Sequence, residues 1–184
     1  MGRTKLSADD WLEVLARLSD ELPKGIRHVG IIGGGALALA YNARRTTGDL
    51  DVILPDDCAM EVISAADRIA AACDLEPGWM NQKARDAGYV DPRNLDLTQI
   101  VYSSSTFDLA VPPAEQLLAL KLVIMHRSDD DTEDAKILLK RARLRHDDVE
   151  SVWNRLGSHV LLAKRKDAYH NLLELWELAN DAPT

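Results

Sequence analysis

Cysteine and clustered histidine are scarce in this chain of 184 residues. The two cysteines, Cys58 and Cys73, lack the spacing of metal ligands, which favours reduced and partly buried thiols. The five histidines are also scattered without ligand spacing. We therefore assign no metal site to cysteine or histidine.

Positive charge is in the minority. The chain has 22 Lys and Arg against 30 Asp and Glu, a formal net charge of -8, and its pI is near 5.1. Neutralising phosphates requires a basic surface, so this balance argues against a protein that coats nucleic acid nonspecifically. It does not exclude an RNA substrate that is held by a local basic patch.

Long apolar runs are absent as well. No run reaches the length needed to cross a bilayer, and the first residues, MGRTKLSADDWLEV, lack the apolar core of a signal peptide. We therefore expect a cytoplasmic protein that does not enter a membrane. A chain of this length can bury one substantial core. We predict a main domain over residues 1–146, with helices over 147–184 packed on it.

The segment from Val29 to Leu54 has the clearest pattern in the chain. It reads VGIIGGGALALAYNARRTTGDLDVIL. A strand-like run leads to three consecutive glycines, a helix-forming stretch follows from Ala36 to Ala43, and a second strand is predicted from Leu50 to Leu54. The segment therefore predicts a strand, a glycine turn, a short helix and a second strand.

Two carboxylates share one face of that second strand. Side chains alternate along a strand with a rise of about 3.3 Å, so Asp49 and Asp51 lie on one side with Cα atoms about 6 to 7 Å apart. Like charges at this distance are costly unless a cation lies between them. Oxygen ligands suit magnesium, which completes its shell with water and phosphate. Gly33 and Gly34, which have no Cβ, let a phosphate approach the amides that open the helix.

A glycine pair followed, after a short helix, by Asp-x-Asp on the next strand resembles the signature of the nucleotidyltransferase superfamily, whose members are DNA polymerase β-like. Here the glycine pair is Gly33 and Gly34, and the acidic pair is Asp49 and Asp51. The longer string Arg45-x-Thr47-x-Asp49-x-Asp51 is similar to the subgroup of bacterial abortive-infection and toxin–antitoxin nucleotidyltransferases. The resemblance implies an α/β fold in which a mixed sheet is flanked by helices, with a C-terminal helical extension.

The resemblance also implies roles for single residues. Asp49 and Asp51 would bind Mg²⁺ or Mn²⁺ and act in catalysis. The NTP would be held by Gly33, Gly34, Arg45 and Thr47. Many members of the superfamily have a third metal-binding carboxylate on a neighbouring strand, for which Asp108 is the best-placed candidate and Asp96 the alternative. An exposed strand charge explains Asp108 equally well.

A second group of candidates follows a helix that is predicted over Ala114 to His126. This helix is apolar nearly all round, which indicates burial, and Lys121 within it must reach a counter-charge or extend to solvent. The segment resembles the Lys-containing helix of the family, which is followed by an arginine and two aspartates, here Arg127, Asp131 and Asp134. In that resemblance Lys121 and Asp134 are catalytic, and Lys121 contacts the triphosphate or an active-site carboxylate. A capping box at the next helix explains both aspartates equally well.

The tryptophan at position 79 belongs to another family-like element. Trp79, Met80 and Asn81 resemble a Trp-x-Asn element of the same family, in which Trp79 could stack on a base. Packing in the core is the favoured interpretation, because a single tryptophan is more often buried than used as a platform for a nucleobase.

Basic residues concentrate on the helix that is predicted over Thr132 to Arg145. They are Lys136, Lys140, Arg141, Arg143 and Arg145. In an acidic chain this concentration favours contact with a polyanion such as RNA. A solvated face with cations near the C-terminus of a helix explains it as well.

Three functions follow from the sequence. The first is Mg²⁺-dependent transfer of a nucleoside monophosphate from an NTP to an acceptor hydroxyl, with tRNA as the acceptor and an antitoxin as the protein partner. The second is a small-molecule nucleotidyltransferase of the antibiotic-modifying type, for which an acidic protein suits a cationic acceptor. The third is a nucleotide-binding or interaction domain without catalysis. The oligomeric state is left open.

Overall fold

The computed structural model describes residues 5–25, 27–41, 46–125 and 128–180, and for Leu162 the backbone alone. Two compact units are present. A sheet unit comprises the described residues within 1–87 and 97–112, and a helical unit comprises those within 88–96 and 113–184. The predicted boundary at residue 146 between a main domain and its C-terminal helices stays a prediction.

The sheet unit alternates helices and strands. In chain order they are α1 (Ala8–Glu21), β1 (Arg27–Ile32), α2 (Gly33–Tyr41), β2 (Leu50–Ile53), α3 (Ala59–Ala70), β3 (Met80–Asn81), α4 (Lys83–Asp86), β4 (Gln99–Ser103) and β5 (Phe107–Val111). The five strands form one mixed sheet in the order β3-β2-β1-β5-β4. The predicted α/β class with a mixed sheet and flanking helices is therefore confirmed.

The register of the sheet decides which residues are neighbours. β1 pairs antiparallel with β2 and places Ile32 opposite Asp51. On its other side β1 pairs parallel with β5 and places His28 opposite Asp108. β2 pairs parallel with β3 and places Asp51 opposite Asn81.

The core of the sheet unit is built on local signals that the sequence displays. Ser7 and Asp10 form a capping box at the start of α1, where the Asp10 N–H donates to Ser7 Oγ at 3.3 Å and the Ser7 N–H donates to Asp10 Oδ2 at 3.0 Å. Trp11 of α1 stacks on Trp79 with ring centroids 5.3 Å apart. Trp79 is 1% exposed and its Nε1 donates to the Ala66 carbonyl at 2.9 Å, so the packing interpretation of Trp79 is confirmed.

The helical unit is organised around a buried helix. Its helices are α5 (Ala114–Ile124), α6 (Asp129–Ala142), α7 (Val149–Leu156) and α8 (Arg165–Asn180). α5 packs against α6, α7 and α8, which agrees with the apolar character of its sequence on nearly all sides. The last helix accounts for the predicted C-terminal helical extension.

Two helices begin earlier than the sequence indicates. α2 begins at Gly33 instead of Ala36, so the glycines form its first turn, and a φ of +66° at Gly33 makes the bend from β1. α6 begins at Asp129 instead of Thr132, because Ser128 provides the cap and its Oγ accepts from the Asp131 N–H at 3.2 Å. Asp131 is thus the third residue of this helix and does not cap it.

The membrane prediction concerns the length and polarity of the helices. In the part of the chain that the structure describes, no helix is both long enough and apolar enough to cross a bilayer.

Candidate functional site

The glycine bend and the acidic strand meet at one end of the sheet. Gly33 follows directly after β1, and β1 lies antiparallel to β2, which carries Asp51. A Cβ atom on Gly33 would lie 2.7 Å from Asp51 Oδ2. The carboxylate therefore lies directly against the backbone of the glycine, and any larger side chain at this position would have to displace it.

The N-terminus of α2 adds a positive electrostatic potential at the same place. The first amide N–H groups of a helix have no partner within it, and they carry roughly half a positive charge. Gly35 in this turn is packed closely, since a Cβ there would lie 2.6 Å from Leu50 Cδ2 and 2.8 Å from Ile31 Cδ1. Glycine thus brings the start of the helix close to both strands.

Asp49 is positioned by the loop that leads into β2. Thr47 pairs with Leu6 through two backbone hydrogen bonds of 2.8 and 3.0 Å, and its hydroxyl donates to the Asp49 carbonyl at 3.2 Å. Thr47 is only 4% exposed. The geometry gives Thr47 a role in fixing the backbone at Asp49, whereas the sequence predicts contact with the triphosphate.

A residue without a predicted role lies beside Asp51. Asn81 is opposite Asp51 in the register between β3 and β2, and it is 8% exposed. Its Oδ1 accepts from the Lys83 N–H at 3.0 Å, while its Nδ2 is buried and has no hydrogen-bond partner within the described part of the chain. The sequence offers one signal for this residue, the Trp-x-Asn element, but pairing between β2 and β3 is needed to place it next to the acidic strand.

Asp108 is not brought to this end of the sheet. Along β1, the partner of Asp108 is His28 and the partner of Asp51 is Ile32. The two positions are thus separated by about 13 Å along the strand, at about 3.3 Å per residue. Asp108 instead accepts from Ser103 Oγ at 2.5 Å and lies 3.6 Å from His28 Nδ1. The prediction that Asp108 completes the metal site therefore needs correction, because the sheet register separates it from Asp51.

The alternative third carboxylate, Asp96, belongs to the helical unit, where its N–H donates to Gln116 Oε1 at 2.8 Å. No group of three or more His, Cys, Asp or Glu among the described residues is arranged to hold a metal ion. Two carboxylate residues match the oxygen chemistry of Mg²⁺, which takes its remaining ligands from water and from substrate phosphates.

Lys121 is held by an ion-pair cluster within the helical unit. Its Nζ lies 2.5 Å from Asp131 Oδ1 and 2.8 Å from Asp134 Oδ2. Lys121 is 6% exposed and Asp134 is 3% exposed. The predicted need for a counter-charge is thus met by two aspartates of α6. Their catalytic roles stay a prediction.

The basic residues after Thr132 have several different surroundings. Lys136 forms a 2.8 Å ion pair with Glu133, and the Arg143 guanidinium lies 4.1 Å from the centre of the Trp176 ring. Lys140 and Arg141 are exposed on the last turn of α6, and Arg145 is exposed beyond it. The predicted nucleotide contact Arg45 lies outside the described residues, as does Arg127.

A cavity of about 430 Å³ lies in the sheet unit, and none of the predicted site residues that the structure describes lines it. Its lining includes Arg27, Glu61 and Cys58. Arg27 is already occupied by a 2.8 Å ion pair with Glu61 and by three backbone carbonyls. Burial raises the pKa of the Cys58 thiol, and nearby Asp57 raises it further. Cys58 and Cys73 are free, as the sequence predicts.

Comparisons with known proteins do not assign a function to this chain, so a functional proposal rests on the geometry of the site. No protein-family model, no curated protein and no solved structure matches the chain. The resemblance to the nucleotidyltransferase superfamily therefore stays a prediction that rests on the residues named above.

Proposed function

We propose that this chain is a divalent-cation-dependent nucleotidyltransferase. The observation that carries the proposal is the contact between the glycine bend and the acidic strand, where Asp51 Oδ2 lies 2.7 Å from the Cβ position of Gly33. A carboxylate this close to the start of a helix gives the site both of the groups that a metal nucleotide requires. The amides suit the phosphates, and the carboxylate suits the cation.

Different residues of the site would bind the cation and the triphosphate. Asp49 and Asp51 would provide carboxylate oxygens for Mg²⁺, while the backbone of Gly33 and Gly34 would hold the triphosphate. Thr47 would fix the backbone that carries Asp49, through the 3.2 Å hydrogen bond to its carbonyl. When bound, the cation would supply charge stabilisation on the phosphates and on the departing pyrophosphate.

The reaction itself is a substitution at phosphorus. The acceptor hydroxyl oxygen forms a bond with the α-phosphorus as the bond from that phosphorus to the pyrophosphate oxygen breaks. The hydroxyl proton is lost to water, and pyrophosphate leaves with the bonding electrons. Catalysis of such a step depends mainly on the positioning of the phosphates and on stabilisation of their charge.

RNA is the acceptor that we place first. The exposed cations Lys140, Arg141 and Arg145 lie at the end of α6 and beyond it, in a chain whose net charge is -8. A local concentration of positive charge attracts a polyanion even when the whole protein is acidic. A tRNA acceptor, with the chain acting as the toxin of a toxin–antitoxin pair, is the form of this function that the family resemblance implies.

A small cationic acceptor is the second candidate. The net charge of -8 favours it, because an acidic protein attracts a cationic small molecule over a long range. This candidate uses the same transfer chemistry, so the two differ only in the acceptor.

Transfer of label tests the proposal. The protein is incubated with each α-³²P-labelled NTP, Mg²⁺, and either total tRNA or a panel of aminoglycosides and lincosamides. We expect label on RNA. Label on small molecules alone would select the second candidate. Absence of label from all acceptors, with every NTP and with either Mg²⁺ or Mn²⁺, would favour a domain without catalysis.

A further inference from the structure

Asn81 presents a hydrogen-bond donor that no other described residue of the fold uses. The residue is 8% exposed, and its Nδ2 is buried without a hydrogen-bond partner among the residues that the structure describes. Leaving a buried amide donor unpaired costs about 1 to 3 kcal/mol. Such groups are rare in folded proteins, and each one requires an explanation such as a bound water, an ion or a ligand.

The hydrogen bond that the Asn81 Oδ1 atom accepts fixes the orientation of the side-chain amide. The Lys83 N–H donates to Asn81 Oδ1 at 3.0 Å, just where α4 begins. A flipped amide would turn its NH₂ group toward that N–H, and two donors would face each other. The Nδ2 atom therefore cannot exchange places with Oδ1 to gain a partner.

The neighbour of Asn81 in the sheet indicates what its donor would meet. Asn81 is the register partner of Asp51, and directly paired residues of adjacent strands project from the same face of a sheet. The free donor thus belongs to the side of the sheet on which the Asp51 carboxylate lies against Gly33. An N–H donor cannot bind a cation, but it matches an anionic oxygen.

We infer that Asn81 is a nucleotide-binding residue whose Nδ2 donates a hydrogen bond to a phosphate oxygen of the NTP. This inference rests on the proposed function, since it uses the same site. It adds a neutral donor at the buried side of the triphosphate. It also explains why β3, a strand of only two residues, places a polar side chain in a buried position.

Equilibrium binding tests the inference without requiring an acceptor. Dissociation constants are measured by calorimetry for an NTP, for inorganic tripolyphosphate and for the free nucleoside. The variant Asn81→Asp retains the acceptor for the Lys83 N–H but removes the donor. Asn81→Ala removes both groups and adds no charge. The control Gln82→Glu places a new carboxylate one residue further along the chain.

We expect both Asn81 variants to weaken the binding of NTP and of tripolyphosphate by roughly tenfold to a hundredfold. Gln82→Glu should bind both ligands nearly as the wild type does. Asn81→Asp should melt below the wild type when no cation is present, because its new carboxylate lies opposite Asp51, and Asn81→Ala shows the loss of the donor without added charge. If the wild type binds NTP and Asn81→Asp binds it equally well, the inference is overturned and the proposed function is not. Weaker binding of NTP with unchanged binding of tripolyphosphate would also overturn it. A wild-type protein that binds no NTP would overturn the proposed function as well.

Discussion

The Asp51 carboxylate occupies the space into which a side chain at Gly33 would extend, with Oδ2 at 2.7 Å from the Cβ position. This relationship joins the glycine bend, the start of α2 and the acidic strand at one point. It also makes Gly33 irreplaceable for two separate reasons, the positive φ of +66° and the contact with Asp51. The two reasons can be separated by experiment.

Gly33→Ala should abolish nucleotidyl transfer with only a moderate loss of stability. A left-handed alanine costs about 1 to 2 kcal/mol, and the Asp51 side chain can rotate away from the new methyl group. That rotation removes the carboxylate from the site. Denaturant unfolding and the transfer of label from NTP measure the two effects.

Gly78→Ala is the matched control for Gly33→Ala. Gly78 has a φ of +77°, but a Cβ there would meet nothing within 4 Å. The two variants should lose similar stability, while Gly78→Ala keeps its activity. Equal activity in both would show that the contact between Gly33 and Asp51 has no part in the reaction.

Lys121→Met should be strongly destabilising. Removing the ammonium leaves Asp131 and the buried Asp134 without the cation that lies 2.5 and 2.8 Å from them. Removing one partner of a buried ion pair costs about 3 to 5 kcal/mol. The midpoint of urea unfolding measures the loss.

Lys136→Met provides the comparison for Lys121→Met. Lys136 pairs with Glu133 at 2.8 Å on the surface of α6, and an exposed pair of this kind contributes about 0 to 1 kcal/mol. A Lys121→Met protein that is as stable as Lys136→Met would contradict the ion-pair cluster.

Acid should weaken the connection between α6 and α7 through Asp147. Hydrogen bonds from the Arg155 guanidinium, and then from the Leu144 N–H, hold the pKa of the Asp147 carboxyl below its usual range. A folded-state pKa below the unfolded value adds stability at higher pH, and this stability is lost as the pH falls below about 4. The variant Asp147→Asn should therefore be less stable than the wild type at pH 7, with the difference fading near pH 3.

Thermal melting at the two pH values measures this effect. Glu177→Gln, which changes an exposed carboxylate on α8, should melt as the wild type does at both pH values. A difference between Asp147→Asn and the wild type that persists unchanged at pH 3 would argue against a contribution from the charged carboxylate.

The sequence predicts those parts of the site that depend on neighbours in the chain. Alternation along β2 and the glycines after β1 are local patterns, so the approach of Gly33 to Asp51 could be expected. The capping box of Ser7 and Asp10 is local as well. The start of α2 at Gly33 was harder to predict, because glycine usually marks a turn and only the packing of Gly35 on Leu50 favours a helix there.

Features that depend on strand pairing could not be predicted from alternation alone. Alternation predicts the face of β5 on which Asp108 lies, but the pairing with β1 decides that Asp108 is level with His28 and not with Ile32. The position of Asn81 beside Asp51 likewise follows from a pairing between distant segments. The sequence predicts that Lys121 either reaches a counter-charge or extends to solvent, and the pairing of α5 with α6 decides for the counter-charge, which Asp131 and Asp134 supply.

The most direct test of the central claim is the Mg²⁺ dependence of NTP binding in Asp51→Asn. Calorimetric titrations of NTP are made with and without Mg²⁺ on the wild type, on Asp51→Asn and on the exposed control Asp57→Asn. We predict that Mg²⁺ strengthens binding by roughly tenfold or more in the wild type and in Asp57→Asn, and that Asp51→Asn loses this dependence. Binding that is equally strong with and without Mg²⁺ in the wild type, or a full Mg²⁺ effect in Asp51→Asn, would contradict a cation site at Gly33 and Asp51.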